Sequence, residues 1–121
     1  ALKVTDHNWL AYNNRGIAHA ALGNYQQAIE DFSREIEIMG RANAYYNRGH
    51  AYYDLGHYRQ AIDDYSKAIE IKPDYEDAYI NRGVAYAQLG DIKLSINDFR
   101  MAAKRGSERA KNFLRSQGIS W

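Results

Sequence analysis

The chain has no cysteine, one proline, three phenylalanines and almost no net charge. The absence of cysteine removes disulfides, thiolate metal ligands and thiol nucleophiles, and it fits either redox compartment. With a single proline, helices are nearly free of the residue that breaks them. Lys and Arg number 16 against 15 Asp and Glu, scattered along the chain, for a formal charge of +1. No basic stripe is available to neutralise a phosphate backbone, which excludes nucleic acid as a partner class. No apolar run approaches the roughly 20 residues that span a bilayer. Nor does any charged, apolar and small-residue succession resemble a signal peptide. The chain therefore reads as soluble, not inserted in a membrane, and by default cytoplasmic. The first residue is Ala and not Met, which reads as a processed terminus or a piece of a longer protein.

What is abundant is tyrosine, with 11 copies in 121 residues, a length that bounds the chain to one domain with a real core. The tyrosines recur with a period. Tyr12-Asn13-Asn14-Arg15-Gly16, Tyr45-Tyr46-Asn47-Arg48-Gly49 and Tyr79-Ile80-Asn81-Arg82-Gly83 place their glycines 33 and then 34 residues apart. Gly23, Gly56 and Gly90 form a second column at the same spacings, so the chain holds three copies of one unit.

Within each unit the columns Tyr12/Tyr45/Tyr79, Ala18/Ala51/Ala85, His19/Tyr52/Tyr86 and Leu22/Leu55/Leu89 step by three or four, one side of a first helix. Tyr25/Tyr58/Ile92, Ala28/Ala61/Ser95, Ile29/Ile62/Ile96 and Phe32/Tyr65/Phe99 do the same for a second. Gly23, Gly56 and Gly90 stand where the first helix turns back, which favours positive φ. Asn24 and Asp91 follow as expected N-caps, Gln27 completing a capping box with Asn24. Gly16, Gly49 and Gly83 lie within helices, where glycine costs roughly 1 kcal/mol relative to alanine, and close helix approach is the expected compensation.

The order aromatic, Gly, Tyr, Leu-Gly-x-Tyr, Ala-Ile, Tyr, Ala-Ile, Pro, seen most fully from Tyr45 to Pro73, resembles the tetratricopeptide repeat. The resemblance covers about residues 9 to 105. It implies an all-α, right-handed solenoid of antiparallel helix pairs, about seven helices in all, whose first helices line a concave groove. One domain is expected over 1–121: repeats at about 9–41, 42–75 and 76–107, then a capping helix at about 108–118. That last helix is read from Ser107 as N-cap, Ala110, Phe113 and Leu114 at helical spacing, and Gly118 as its end, with Trp121 folded back onto it.

Several residues depart from the pattern. The first inter-repeat joint is one residue short, with Gly40 where Pro73 stands a unit later. Glu35 occupies the column of Ala68 and Ala102. It is expected to tilt into solvent; if buried, it would need Arg48 or a tyrosine hydroxyl as partner. His19 is expected as a hydrogen-bonded core residue. Glu30/Arg34 and Asp63/Lys67 read as weak ion pairs on solvated faces.

The implied groove stripe comprises Leu10, Asn13, Asn14, Ile17 and Ala21; Asn43, Tyr46, Asn47, His50, Tyr53 and Asp54; then Asp77, Ile80, Asn81, Val84 and Gln88. Rings supply contact area and amides orient a backbone, so the surface suits a protein or peptide segment. Asn14, Asn47 and Asn81 share a column, and each amide can both donate to and accept from an extended backbone. The arrangement is similar to the asparagine ladder in the repeat region of the glycosyltransferase that adds N-acetylglucosamine to protein hydroxyls; alternatively, these amides bind neighbouring repeats. In the carboxylate clamp that grips chaperone C-termini, the corresponding positions hold Asn13, Ile17, Asn47, Asp77 and Asn81. Only Asn47 fits, so a chaperone tail is expected to be disfavoured.

His50 and Asp54 offer two metal ligands at most, too few for a site. No nucleophile, base and orienter group together, and no phosphate-binding glycine loop is present. The expectation is a protein-interaction scaffold without enzymatic activity, cofactor or metal. The competing readings are a self-associating, homo-oligomeric assembly module and a targeting arm of a larger enzyme.

Overall fold

The computed structural model describes the backbone of residues 2–121 and side chains from residue 8 onward. Among these residues the chain forms seven helices and no strand: α1 (Leu2–Ala21), α2 (Tyr25–Ile38), α3 (Ala42–Asp54), α4 (Tyr58–Ile71), α5 (Glu76–Gln88), α6 (Ile92–Lys104) and α7 (Glu108–Ser116). Each first helix packs on the second of its own unit, each second helix on the first of the next, and α7 on α6. In addition α1 touches α3 and α3 touches α5, which lines up the first helices along one face of an all-α solenoid of helix pairs.

The turn between paired helices needs positive φ, supplied at 81° by Gly23 and Gly56 and at 83° by Gly90. The glycines within helices let the pair close. A Cβ on Gly83 would stand 3.1 Å from the Ser95 carbonyl oxygen, and one on Gly16 only 2.7 Å from the Phe32 ring. The core grows outward from these contacts: Phe32 and Ala51 with α2, Ala68 and Ala78 at the second joint, Phe99, Ala102 and Leu114 under the cap. Ser107 caps α7, its Oγ accepting from the Ala110 N–H at 3.1 Å. Trp121 leans back over the Arg115 guanidinium at 5.3 Å yet stays 40% exposed.

Several expectations are corrected. Asn24 and Asp91 occupy the N-cap positions but their side chains make no capping bond. Their ψ of 67° and 71° lies outside the extended range from which a cap side chain reaches the first-turn N–H groups. Glu35 is fully buried and does not tilt out; its partners are Asn13 and Arg41, while Arg48 is committed to Asp64. His19 is only half-buried, its Nε2 lies 3.9 Å from Asp31, and its Nδ1 has no partner among the described residues. Ala18 sits in a core column but is exposed, because no described helix covers that side of α1; Leu22 is exposed too, as is its column-mate Leu55. Lys67 pairs with Glu70 at 2.9 Å instead of Asp63.

Candidate functional site

Each first helix is locked to its partner by a fork that recurs in every unit. Arg15 donates through Nε and Nη2 to Asp31 at 2.9 and 2.7 Å, Arg48 to Asp64 at 2.8 and 2.8 Å, and Arg82 to Asp98 at 2.8 and 2.7 Å. The hydrogen bonds to their aspartates hold the guanidiniums above the usual arginine range. Burial holds the Asp64 and Asp98 carboxyls above the ordinary carboxylate range, with the arginines offsetting part of that. The remaining Nη1 of Arg48 and Arg82 reaches across the joint to Ser33 and Ser66 of the preceding unit, at 3.1 Å each. The asparagine of every Asn-Arg-Gly string is thus presented by a helix whose rotation is fixed by the arginine beside it.

On the face where α1, α3 and α5 meet, the predicted stripe divides. Asn14, Ile17, Asn43, His50, Asp54, Asp77 and Gln88 are exposed, and Tyr46, Asn47, Tyr53, Asn81 and Val84 are half-buried. Asn13 and Ile80 are buried: Asn13 turns its amide to Glu35, and Ile80 joins the core under Phe99 and Leu114. Leu10 and Ala21 are exposed. Asn81 donates to the Tyr46 hydroxyl at 2.8 Å and Gln88 to the Tyr53 hydroxyl at 3.2 Å, so two groove amides bind the preceding repeat. Among the described residues neither Asn14 nor Asn47 makes a side-chain bond.

His50, Tyr53, Asn81 and Val84 enclose a mostly apolar recess of about 70 Å³, floored by Tyr65 from α4. Tyr65 was read from sequence as core alone, yet it is the tyrosine in a column otherwise phenylalanine, and that polar tip was the available signal. Its hydroxyl is buried with no partner among the described residues. Tyr46 stacks on Tyr75 at 5.0 Å and meets Tyr65 at 5.7 Å. Burial pushes all three phenols up, Tyr75 to about 12, so the groove tyrosines are neutral hydrogen-bonding groups at ordinary pH. At the rim Asp77 lies 3.7 Å from Arg109 of α7, and His50 lies 3.8 Å from Asp54. The described residues contain no cluster of three or more His, Asp or Glu that could hold a metal.

Three family profiles match the chain: a tetratricopeptide repeat at residues 9–38, a TPR repeat at 49–90 and a tetratricopeptide repeat at 76–105. The chain belongs to the tetratricopeptide-repeat family. No curated protein matches it significantly. Among solved structures it is similar to the second TPR domain of human RPAP3 in complex with the HSP70 peptide SGPTIEEVD, with 27% identity, 96% of this chain and 99% of that one covered, and a TM-score of 0.85. The Arabidopsis OM64 TPR domain is 27% identical over 88% and 91% of the two chains, with a TM-score of 0.83. The second TPR of Spaghetti (RPAP3), bound to the HSP90 peptide SRMEEVD, is 28% identical over 84% and 90%, at 0.80.

This tetratricopeptide domain is accordingly a protein-interaction scaffold, a class of fold that is typically non-enzymatic. Two of these neighbours are bound to HSP70 and HSP90 peptides, so the expectation that a chaperone tail is disfavoured finds no support in the comparison. No helix is long and apolar enough to cross a membrane among the described residues. The recurring Arg–Asp fork of the tetratricopeptide unit was missed in the sequence, although its signal is plain: an Arg and an Asp sixteen residues apart in all three units.

Proposed function

We propose that the domain holds a protein segment along the α1–α3–α5 face, with backbone groups paired to Asn14 and Asn47 and one aliphatic side chain seated in the recess. The recess beneath His50, Tyr53, Asn81 and Val84 carries this reading. It is apolar, it is set among half-buried amides, and it has room for a small side chain, the share of a single liquid water being about 30 Å³. Each amide bond to a backbone contributes about 0.5–1.5 kcal/mol, so the seated side chain must supply the rest. The neighbours' peptides support the class of ligand. At the positions that match their clamp this chain offers Asn13 tied to Glu35 and Asp77 beside Arg109, so carboxylate recognition here would fall to Arg109.

A synthetic heptapeptide array, including SRMEEVD as free acid and as amide, tests the reading by fluorescence anisotropy on its binders. Val84→Arg fills the recess from a half-buried position and should weaken binding about tenfold or more, with helicity unchanged. An array without binders, or binders indifferent to Val84→Arg, would sink the reading. Binding that requires the free carboxylate would move recognition to Arg109.

A further inference from the structure

The three units supply an internal control for one face that the groove does not use. In α3 the residues Ala44, Arg48 and Ala51 lie toward α2; in α5 the equivalents Ala78, Arg82 and Ala85 lie toward α4. Ala44, Ala78 and Ala85 are 0% exposed and Ala51 is 2% exposed. The same positions are filled in α1 by Ala11, Arg15 and Ala18, and there both alanines are exposed. The arginine side chains are 22% and 20% exposed in the covered units but 63% exposed at Arg15.

Arg15 is nonetheless posed as the other two are. Its guanidinium forks onto Asp31, and it lies 5.7 Å from the Tyr12 ring centre, as Arg48 lies 5.7 Å from Tyr45 and Arg82 5.6 Å from Tyr79. What differs is Nη1, which in Arg48 and Arg82 donates to a serine oxygen on the helix that covers the face. At Arg15 no described residue provides one. The arginine is thus fixed beforehand through two of its donors, and no described residue takes up the third.

We propose that this outer face of α1 docks a further amphipathic helix of the α4 kind, one that presents a Ser or Thr to Arg15 and, two residues on, a small side chain to Ala11, as Ser66 and Ala68 do for Arg82 and Ala78 of α5. A second copy stacked end to end does not qualify. Its α6 carries Arg100 in the column of Ser33 and Ser66 and is already covered by α7, so it would bring an arginine against Arg15. The partner is therefore a helix from a different helical pair, recognised through a hydroxyl and a flat, small-residue face.

The test uses the full chain and a hydrocarbon-stapled, fluorescein-labelled peptide with the sequence of Tyr58–Ile71. The expected result is saturable one-to-one binding that Ala18→Glu weakens by about tenfold or more. Because Ala18 is exposed on a helix, the substitution should leave the thermal midpoint in place. Replacing the peptide's serine, equivalent to Ser66, by alanine removes the hydroxyl offered to a charged donor and should weaken binding about tenfold. Val84→Arg should have no effect, which separates this face from the groove. Absence of saturable binding, or binding indifferent to Ala18→Glu, overturns the proposal. So does a dimer of the chain, seen in sedimentation, that Ala18→Glu dissolves, since the occupant would then be a second copy.

Discussion

The two joints between repeats fill the same three positions with opposite chemistry. At the second joint Ala68 is fully buried against Ala78, and Tyr46 stacks on Tyr75 at 5.0 Å over them. At the first joint the equivalents are Glu35, Asn13 and Arg41. Glu35 is fully buried, Asn13 donates to it at 3.1 Å and Arg41 at 3.4 Å, while Arg41 lies 4.3 Å over the Trp9 ring. The three positions differ as a set. A carboxylate in an alanine site is tolerable only if donors come with it, and both donors stand where the other joint has tyrosines. The connection is altered to match: with one residue fewer and Gly40 in place of Pro73, the Arg41 N–H bonds back to the Met39 carbonyl at 2.9 Å. Packing at one joint is thus replaced by a charge network at the other.

Breaking that network should give the largest effect. Arg41→Ala leaves the Glu35 carboxylate buried with Asn13 alone, a loss expected to cost about 3 kcal/mol and readable in urea or thermal unfolding. Converting the first joint to the second, with Asn13→Tyr, Glu35→Ala and Arg41→Tyr together, removes the buried charge along with its partners. Stability should then match or exceed that of the parent. Wild-type stability in Arg41→Ala would show that the ion pair does not hold the joint.

The tyrosine joint should instead fail at high pH. Burial raises the Tyr65 phenol well above its ordinary value of 10.0. A group whose folded pKa is raised contributes stability that is complete below its unfolded pKa and is lost as pH climbs through the folded one. Above pH 10.0 the unfolded chain gives up this proton while the folded chain keeps it, so stability falls by about 1.4 kcal/mol per pH unit for Tyr65. Tyr65→Phe should flatten the alkaline limb of the unfolding profile by that slope, and Arg41→Ala should leave the slope unchanged. An equal slope in Tyr65→Phe and the parent would remove Tyr65 as the cause.

The fold was legible because its evidence is periodic. Columns of Tyr, Ala and Ile at helical steps, repeated every 33 or 34 residues, specify helices, pairing and stack together. What the columns could not report is what lies opposite a residue. Glu35 was read as solvated because its column prefers alanine, while its partner Arg41 lies in a connection that no periodicity describes. Asn13 was placed on the groove stripe by register, and the carboxylate across the joint draws it inward. Ala18 was read as core from its column, where Ala51 and Ala85 are buried, yet burial depends on a covering helix and not on the residue itself. The Arg–Asp forks needed the two helices of a unit compared with each other; examined one helix at a time, each arginine looks like part of an Asn-Arg-Gly string.

The smallest expected effect decides how far the difference between the joints extends. Ser33 accepts from Arg48 across the first joint and Ser66 from Arg82 across the second, both at 3.1 Å. Each arginine already holds its aspartate through two bonds, and with 22% and 20% of the side chain exposed its Nη1 can turn to water. Ser33→Ala and Ser66→Ala should therefore each cost about 1 kcal/mol, the net value of a single hydrogen bond. Equal costs would mean that the serine–arginine contact is common to both joints and that their chemistry diverges only at Asn13, Glu35 and Arg41. A markedly larger cost for Ser33→Ala would mean that the first joint, lacking the stacked tyrosines, relies on every polar contact it has.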